Sequence, residues 1–445
     1  MKVKRLKMTD FRGIGDLTLE FDAGEPTVLL GVNGVGKSSI LDCLAILLSW
    51  FMVRIVFDPE TRKDFRKSRI RFGNNLLTGF QQEDLVDERD FSEQDIKNGA
   101  KLTRSEITLS LDSQEVSLSL TKTLEKGSEE ANSDLEDLER VTYGIREKWK
   151  TNAGANIPLA VYYPVSRGFR DSELSLEIEE SPAIKGADAY DEALQGIAIN
   201  FKSFFQWFRS CEDLENEDRR DNPAFRDGKL EAVRNAISSL LPGFSNLRVR
   251  RSPLRMTVSK EGEELIINQL SDGEKCLLAM VGDLARRLAI ANPGLSEPLQ
   301  GSAVVLIDEI ELHLHPKWQR EIIPALTRTF PNCQFIITTH SPQVVSHVRP
   351  EGVYLLEKTP EGIVAKRPES SFGRDSNRIL EDLMGVPERP QDIKEDLLEL
   401  FRLIDRGNID GARQLRQQLA DEIGADEPEF VRADILIRRK EILNK

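Results

Sequence analysis

The chain has 445 residues and a formal net charge of −14, from 61 lysine and arginine against 75 aspartate and glutamate side chains. Hydrophobic residues make up 39% of the sequence, which is typical of a soluble globular protein with two or three domains. The negative charge argues against nonspecific coating of nucleic acid, and the longest apolar run near the N-terminus is too short to span a bilayer, so we expect a cytoplasmic protein with no membrane partner.

The first third of the chain alternates strand patterns with loops. Residues 1–19 read as strand, turn and strand, and residues 27–30 (TVLL) read as a short buried strand. A glycine-rich loop follows, and then a helical run from 37 to about 50. Period-two alternation over 105–123 predicts a β-hairpin, and the acidic stretch 124–150, poor in large apolar groups, predicts a mobile loop.

The middle of the chain is helical and then returns to strands. Phenylalanines at helical spacing predict helix over 189–241, and three or four apolar residues on one helical face are what core packing requires. Residues 262–270 read as strand, and 275–290 as a strongly apolar helix. Two apolar runs, 303–307 (AVVLI) and 334–338 (QFIIT), are typical of buried strands in a parallel sheet.

The glycine-rich loop GVNGVGKS, from Gly31 to Ser38, is the strongest chemical signal in the sequence. It fits G-x-x-x-x-G-K-[ST] and lies where that motif works, after a strand and before a helix. Backbone N–H groups and the helix N-terminus favour a polyphosphate there; Lys37 would reach the β- and γ-phosphates, and Ser38 would bind Mg²⁺. The residues that we predict to bind ATP in this segment are Asn33, Gly34, Val35, Gly36, Lys37, Ser38 and Ser39.

Two acids end the apolar strand VVLIDE. They would lie at its C-terminal edge, where open α/β sheets place their ligands. Asp308 would hold Mg²⁺, and Glu309 would act as the general base on the attacking water. An acidic pair alone could merely cap a helix, but its position after the phosphate loop in the chain favours the catalytic interpretation.

Two further loops carry weaker signals. In LSDGEK, Ser271 would cap the following helix and Gly273 would allow the backbone close to a ligand. In TTHSP, His340 would donate a hydrogen bond to a γ-phosphate. We therefore predict Lys37, Glu309 and His340 as the catalytic residues. The predicted residues of the LSDGEK loop are Ser271, Asp272, Gly273 and Glu274.

Taken in order, the four motifs resemble those of ABC ATPases of the SMC, SbcC and RecF branch. The resemblance implies that LSDGEK is a signature loop, which completes the site of a facing second copy of the chain. It also implies that Arg12 lies near the nucleotide, and that residues 311–316 (ELHLHP) form the loop after the acidic strand. The Q-loop glutamine of this branch is missing from YYPVSR, where Ser166 or Arg167 takes its place or the contact is absent.

The resemblance implies an α/β fold: an ABC-type P-loop ATPase head with a helical insertion between phosphate loop and signature loop, and a C-terminal helical extension. No sustained heptads are present, so the insertion is not the long coiled coil of SMC proteins. The expected regions are 1–167, an N-terminal lobe with hairpin and acidic loop; 168–250, the helical insertion; 251–365, a C-terminal lobe with signature, acidic strand and histidine loop; and 366–445, the C-terminal helices.

Within the branch, the chain resembles the PtuA ATPases of Septu and retron-associated antiphage systems. The resemblance rests on YYPVSR, on the helix FKSFFQWFRSCEDLENE, and on the endings FGRDSNRIL and RADILIRRKEIL. It implies a homodimer, or a higher oligomer built from dimers, that works with a separate HNH-type nuclease. The C-terminal helices are the expected docking region for that partner.

Several alternatives stay open. A RecF-like repair ATPase would share the fold and chemistry, and an adjacent HNH gene would argue against it. An overcoming-lysogenisation-type nuclease needs a Toprim domain after His340, where the pattern is helical. A transporter subunit and a clamp without turnover fit less well. The basic segment that begins at Arg62 and ends at Arg71 is a candidate DNA contact, and residues 248–255 form a weaker one.

Overall fold

The computed structural model describes most of the chain. Its described residues are 1–22, 24–57, 88–111, 114–124, 134–152, 154–168, 186–360 and 362–443. They belong to two compact units, Met1–Arg374 and Asp375–Lys445. The basic segment from Arg62 to Arg71 lies outside the described residues, so a DNA contact there stays a prediction.

The first unit combines strands and helices. Its strands are β1 Lys2–Thr9, β2 Leu17–Glu20, β3 Thr27–Leu30, β4 Leu102–Leu111, β5 Gln114–Thr123, β6 Leu159–Tyr163, β7 Phe244–Arg251, β8 Leu254–Lys260, β9 Glu263–Ile266, β10 Ala303–Ile307, β11 Cys333–Thr338, β12 Val353–Thr359 and β13 Gly362–Lys366. Its helices are α1 Lys37–Val56, α2 Glu136–Thr151, α3 Phe201–Asp221, α4 Gly228–Leu240, α5 Asp272–Ala291, α6 Pro316–Thr329 and α7 Pro342–Val345.

A six-stranded sheet forms the centre of this unit, in the order β13-β12-β3-β11-β10-β6. The five strands from β12 to β6 run parallel, and β13 is antiparallel at the edge. Every residue of β3, β6 and β10 is buried, as continuous apolar runs predict for strands covered on both faces. The α/β class expected from the sequence is therefore confirmed.

Two other sheets of this unit are antiparallel. One has the order β2-β1-β4-β5, and its β4–β5 pair confirms the hairpin predicted over 105–123. The other, β7-β8-β9, begins inside the region expected to be a helical insertion, which is therefore helical only in part. Hydrogen bonds from Arg250 and Arg248 lower the pKa of Glu264 to about 2. These two arginines of the basic segment 248–255 are therefore paired with an acid of the same sheet.

Helix α2 corrects the prediction of a mobile loop over 124–150 from residue 136 onwards; residues 125–133 of that stretch lie outside the described residues. Leu138, Thr142 and Arg146 recur every four residues and are buried, so a sparse apolar face is enough to seat the helix. Acidic side chains occupy its first turn, where the helix dipole favours them. The Arg146 guanidinium also donates to the backbone carbonyls of Arg54 and Phe57 at the end of α1, which ties the two helices together.

Helix α1 is the one described helix that is long and apolar enough to cross a membrane by length and composition. It spans 20 residues, Lys37–Val56, and so extends beyond the helical run from 37 to about 50 that the sequence predicts. Of its most apolar window, 78% is buried inside the protein, and core helices pass the same test. The feature is thus weak evidence for a membrane span.

The second unit contains only helices among its described residues. They are α8 Ser376–Asp382, α9 Gln391–Asp405, α10 Ile409–Ile423 and α11 Pro428–Leu443. The apolar faces of α9, α10 and α11 meet in one core, and the helices confirm the helical pattern predicted for this end of the chain. Its buried residues are Ile393, Leu397, Leu400, Ile404, Ala412, Leu419, Phe430, Ala433 and Ile437.

We expect Leu400→Ala to destabilise the second unit by about 2–5 kcal/mol, because it removes a fully buried side chain and leaves a cavity. Hydrogen exchange of residues 391–443 in the full chain measures this free energy of opening. Leu398→Ala on the same helix is the control: Leu398 is 49% exposed, so its loss should cost no more than about 0.5 kcal/mol. Equal effects of the two variants would contradict the assigned core.

Candidate nucleotide site

The phosphate loop connects the end of β3 to the start of α1. Gly34 and Gly36 have φ of +77° and +100°, a region that glycine enters without strain. A Cβ on Gly31 would lie 2.7 Å from the carbonyl oxygen of Leu356 and 2.8 Å from a methyl of Val35, so this position has no room for a side chain. The loop residues Val32 to Gly34 are exposed, which leaves their backbone open to a ligand.

Lys37 and Ser38 begin helix α1 at the base of this loop. The Lys37 ammonium donates to the carbonyls of Gly31 at 2.7 Å and Val32 at 3.1 Å, so it folds back across the loop. Ser38 is exposed, and its hydroxyl is accessible to an incoming ligand. The roles of both side chains toward phosphate and Mg²⁺ stay predictions.

The acidic pair lies beside this lysine. Burial lowers the pKa of Lys37, and the nearby carboxylates of Glu309, Asp308 and Glu311 partly offset that effect. Asp308 is buried, and one of its carboxylate oxygens accepts a hydrogen bond of 2.5 Å from the hydroxyl of Thr338. The same hydroxyl accepts the Glu309 backbone N–H at 2.7 Å. The structure therefore brings the phosphate loop and both acids together, as the sequence predicts.

The signature loop caps helix α5. The Ser271 hydroxyl and Glu274 carboxylate form a capping box, in which each bonds to the other residue's backbone N–H. Ser271 and Asp272 are exposed, whereas Gly273 is buried. A Cβ on Gly273 would lie 2.2 Å from the carbonyl oxygen of His313, so only glycine permits this contact with the loop after β10.

Glu311 positions the histidine loop. Its carboxylate accepts the hydroxyl of Thr339 at 2.7 Å and the backbone N–H of His340. The His340 side chain is left partly exposed at the end of β11. Its predicted contact with a γ-phosphate stays a prediction, and its backbone is held in place by an acid that we predicted only as part of ELHLHP.

Arg12 is engaged in ion pairs. Its guanidinium contacts the carboxylates of Asp42 and Asp95, the latter at 2.8 Å. Asp42 is on α1, one turn after Ser38, so Arg12 packs against the helix that follows the phosphate loop. This places Arg12 near the site through α1; a direct contact with nucleotide stays a prediction.

Arg167 has a position that the sequence did not reveal. Its side chain is 1% exposed, and its guanidinium donates to the backbone carbonyls of Asp308, Glu309 and Ile310 at 2.6, 2.9 and 3.2 Å. It therefore does not replace the missing Q-loop glutamine. Ser166 is exposed, so the two remaining alternatives are that Ser166 takes that place or that the contact is absent. The only sequence signal was an arginine four residues after a buried strand.

The site fits a magnesium–nucleoside triphosphate complex. The left-handed glycines and the exposed loop backbone suit a polyphosphate, and Lys37 supplies the cation beside it. Mg²⁺ binds through one or two protein oxygens and takes its other ligands from phosphates and water. The Ser38 hydroxyl and the Asp308 carboxylate provide oxygens of that kind, and a hydrogen bond from Thr338 already orients the Asp308 carboxylate.

The parallel sheet, the phosphate loop and the acids at the end of β10 define a P-loop ATPase head of the SMC-like ABC type. The family model described as "AAA domain, putative AbiEii toxin, Type IV TA system" matches residues 27–346. The chain belongs to this family.

Three relatives cover most of the chain. It is 29% identical to the Retron Ec83 probable ATPase of Escherichia coli, over 99% of this chain and 87% of the relative. It is also 29% identical to the Retron Vc95 probable ATPase of Vibrio cholerae, over 92% and 85%. The Septu protein PtuA of Bacillus thuringiensis is 23% identical over 91% and 90%. An SMC head solved with the C-winged helix domain of ScpA aligns with 83% of this chain and 98% of that chain at 14% identity and a TM-score of 0.45, too low to carry an argument.

Proposed function

We propose that the protein is a cytoplasmic ATPase that closes as a homodimer around ATP and regulates a partner nuclease of the HNH type in antiphage defence. The observation that carries the ATPase assignment is the placement of Lys37 beside Asp308 and Glu309 at the ends of parallel strands. The relatives named as retron ATPases and as Septu PtuA support the role in defence.

The phosphate loop would bind the nucleotide. The backbone N–H groups of 33–39 would surround the β- and γ-phosphates, and the Lys37 ammonium would exchange its two carbonyl partners for phosphate oxygens. Ser38 and Asp308 would hold Mg²⁺, which neutralises charge on the phosphates when bound.

The turn after β10 would carry the base for hydrolysis. The Glu309 carboxylate would orient a water molecule in line with the γ-phosphorus and accept its proton. His340, at the adjacent strand end, would donate a hydrogen bond to a γ-phosphate oxygen. The backbone bonds from Thr338 and Glu311 fix both residues before nucleotide arrives.

We expect Glu309→Gln to lower the rate of phosphate release at least about 100-fold, because the amide cannot accept the proton from water. ATP affinity, measured by titration with a fluorescent analogue, should stay within about threefold of wild type. Glu321→Gln, at an exposed position on α6, is the matched control and should leave both quantities unchanged. Equal rates for wild type and Glu309→Gln would refute the assignment of the base.

Exposed loops would form the contact between the two chains of the closed dimer. Ser271 and Asp272 point to solvent, as does Val32 at the tip of the phosphate loop, which is 65% exposed. In a two-fold dimer the same patch of each copy meets its partner, so the signature loop of one chain would cover the phosphate loop of the other. Each ATP would then contact two chains.

A mixing experiment tests the shared site. Ser271→Arg alone should bind ATP but not hydrolyse it, and Lys37→Ala alone should do neither. A 1:1 mixture should recover up to about a quarter of the wild-type rate, because half of the dimers are mixed and each mixed dimer has one intact site of two. Failure of the mixture to recover any rate would contradict the shared site.

The second unit is the proposed docking region for the nuclease. Val431, Ile435 and Ile442 on α11 are 63%, 62% and 74% exposed, and they follow one another along one helical face. Exposed apolar patches of this kind mark protein contacts. The helical pattern of this unit supports docking over a Toprim nuclease, which would need strands with acids at their ends.

We expect the double variant Val431→Asp, Ile435→Asp to lose co-purification with the HNH nuclease while its ATPase rate stays within about twofold of wild type, because charge is costly in an apolar interface. Gln418→Asp adds charge at an exposed position on α10 and should retain the partner. Retention of the nuclease by the double variant would exclude this face as the docking site.

A further inference from the structure

Arg167 is a buried cation whose terminal nitrogens donate mainly to one turn of backbone. Each of its terminal nitrogens bonds to two carbonyls: one to Pro164 at 3.4 Å and Asp308 at 2.6 Å, the other to Glu309 and Ile310. The four terminal N–H groups thus match four carbonyl oxygens. A guanidinium presents its donors in a fixed planar fork, so this set of bonds also fixes where the carbonyls lie.

The turn that Arg167 holds has an unfavourable backbone conformation. Glu309 has φ of +46°, in the left-handed region that residues other than glycine rarely adopt. On the other side of the turn, Thr338 accepts the Glu309 N–H through its hydroxyl and the Ile310 N–H through its carbonyl, at 2.7 and 3.1 Å. Arg167 therefore holds the carbonyls of the turn, and Thr338 at the end of β11 holds two of its N–H groups.

Arg167 also lies near helix α5. Burial raises the pKa of the Cys276 thiol on α5, and the positive charge of the Arg167 guanidinium partly offsets this rise. Cys276 lies five residues after Ser271 in the same helix, which the capping box begins. The arginine thus lies between the helix that carries the signature loop and the turn that carries the base.

We infer that Arg167 is a positioning residue that holds the Glu309 backbone in its left-handed turn and thereby aims the carboxylate at the attacking water. The inference rests on the proposed ATP hydrolysis. It assigns Arg167 no contact with nucleotide, because the side chain is 1% exposed and its terminal N–H groups are bound to backbone. Its loss should change the rate of the chemical step and leave nucleotide affinity in place.

The principal test is Arg167→Met, which keeps the length of the side chain and removes its donors. We expect kcat to fall about 100-fold, since misplacement of a catalytic group by about 1 Å has effects of this size. ATP affinity should stay within about threefold. Arg146→Met is the matched control: Arg146 is also buried and donates to two carbonyls, at the far end of α1, so its kcat should stay within about twofold of wild type.

A double-variant cycle separates positioning from a general loss of structure. If Arg167 acts through Glu309, adding Arg167→Met to Glu309→Gln should lower the residual turnover by less than about twofold. A further loss of the size seen in the wild-type background would overturn the inference. So would a fall in ATP affinity equal to the fall in kcat, or a kcat for Arg167→Met within about twofold of wild type.

Arg167→Lys keeps the test decisive if the methionine variant does not fold. A single ammonium cannot bond to four carbonyls, so we expect kcat to fall about tenfold at unchanged affinity, again without further effect in the Glu309→Gln background. Wild-type turnover in Arg167→Lys would overturn the inference. A Glu309→Gln rate equal to that of the wild type would instead refute the proposed base, which distinguishes the two failures.

Discussion

The hydroxyl of Thr338 connects the two acids on which the site depends. It donates to the Asp308 carboxylate and accepts the Glu309 N–H, so one side chain fixes the carboxylate of the first acid and the backbone of the second. The contact exists because β10 and β11 pair in parallel with Ile307 opposite Ile337, which brings Thr338 level with Asp308. A shift of one residue in this register would turn Thr338 to the other face of the sheet and remove both bonds.

The loops at this edge of the sheet constrain one another. Glu311, two residues after the base, bonds to the His340 backbone, and the carbonyl of His313, two residues further on, abuts Gly273 of the signature loop. Glu309 and His313 both have positive φ, which costs free energy that the surrounding contacts must offset. Both residues lie in the segment between β10 and α6, which contacts the His340 backbone through Glu311 and Gly273 through His313.

Local patterns made much of this architecture predictable. Gly31 to Ser38 and the acids after AVVLI have fixed spacing relative to a strand, and the parallel sheet places them at one edge. The helix α2 was not predictable in the same way, because only three of its residues are buried and its composition resembles that of a loop. Arg167 was missed for a different reason: the carbonyls that it binds come from residues about 140 positions later in the chain, and no local pattern records them.

Helix α5 is anchored to the central sheet by a buried ionic cluster. Burial alone would raise the pKa of Asp283, but Arg287 and Arg286 lower it, and the Tyr163 hydroxyl at the end of β6 donates to it at 3.0 Å. Arg287 also donates to the carbonyl of Ala189 at 2.8 Å. Buried ion pairs contribute little net stability, but separating them leaves an unpaired buried charge, which is strongly unfavourable. Any movement of helix α5 should therefore carry β6 with it, and Arg167 follows β6 by only four residues.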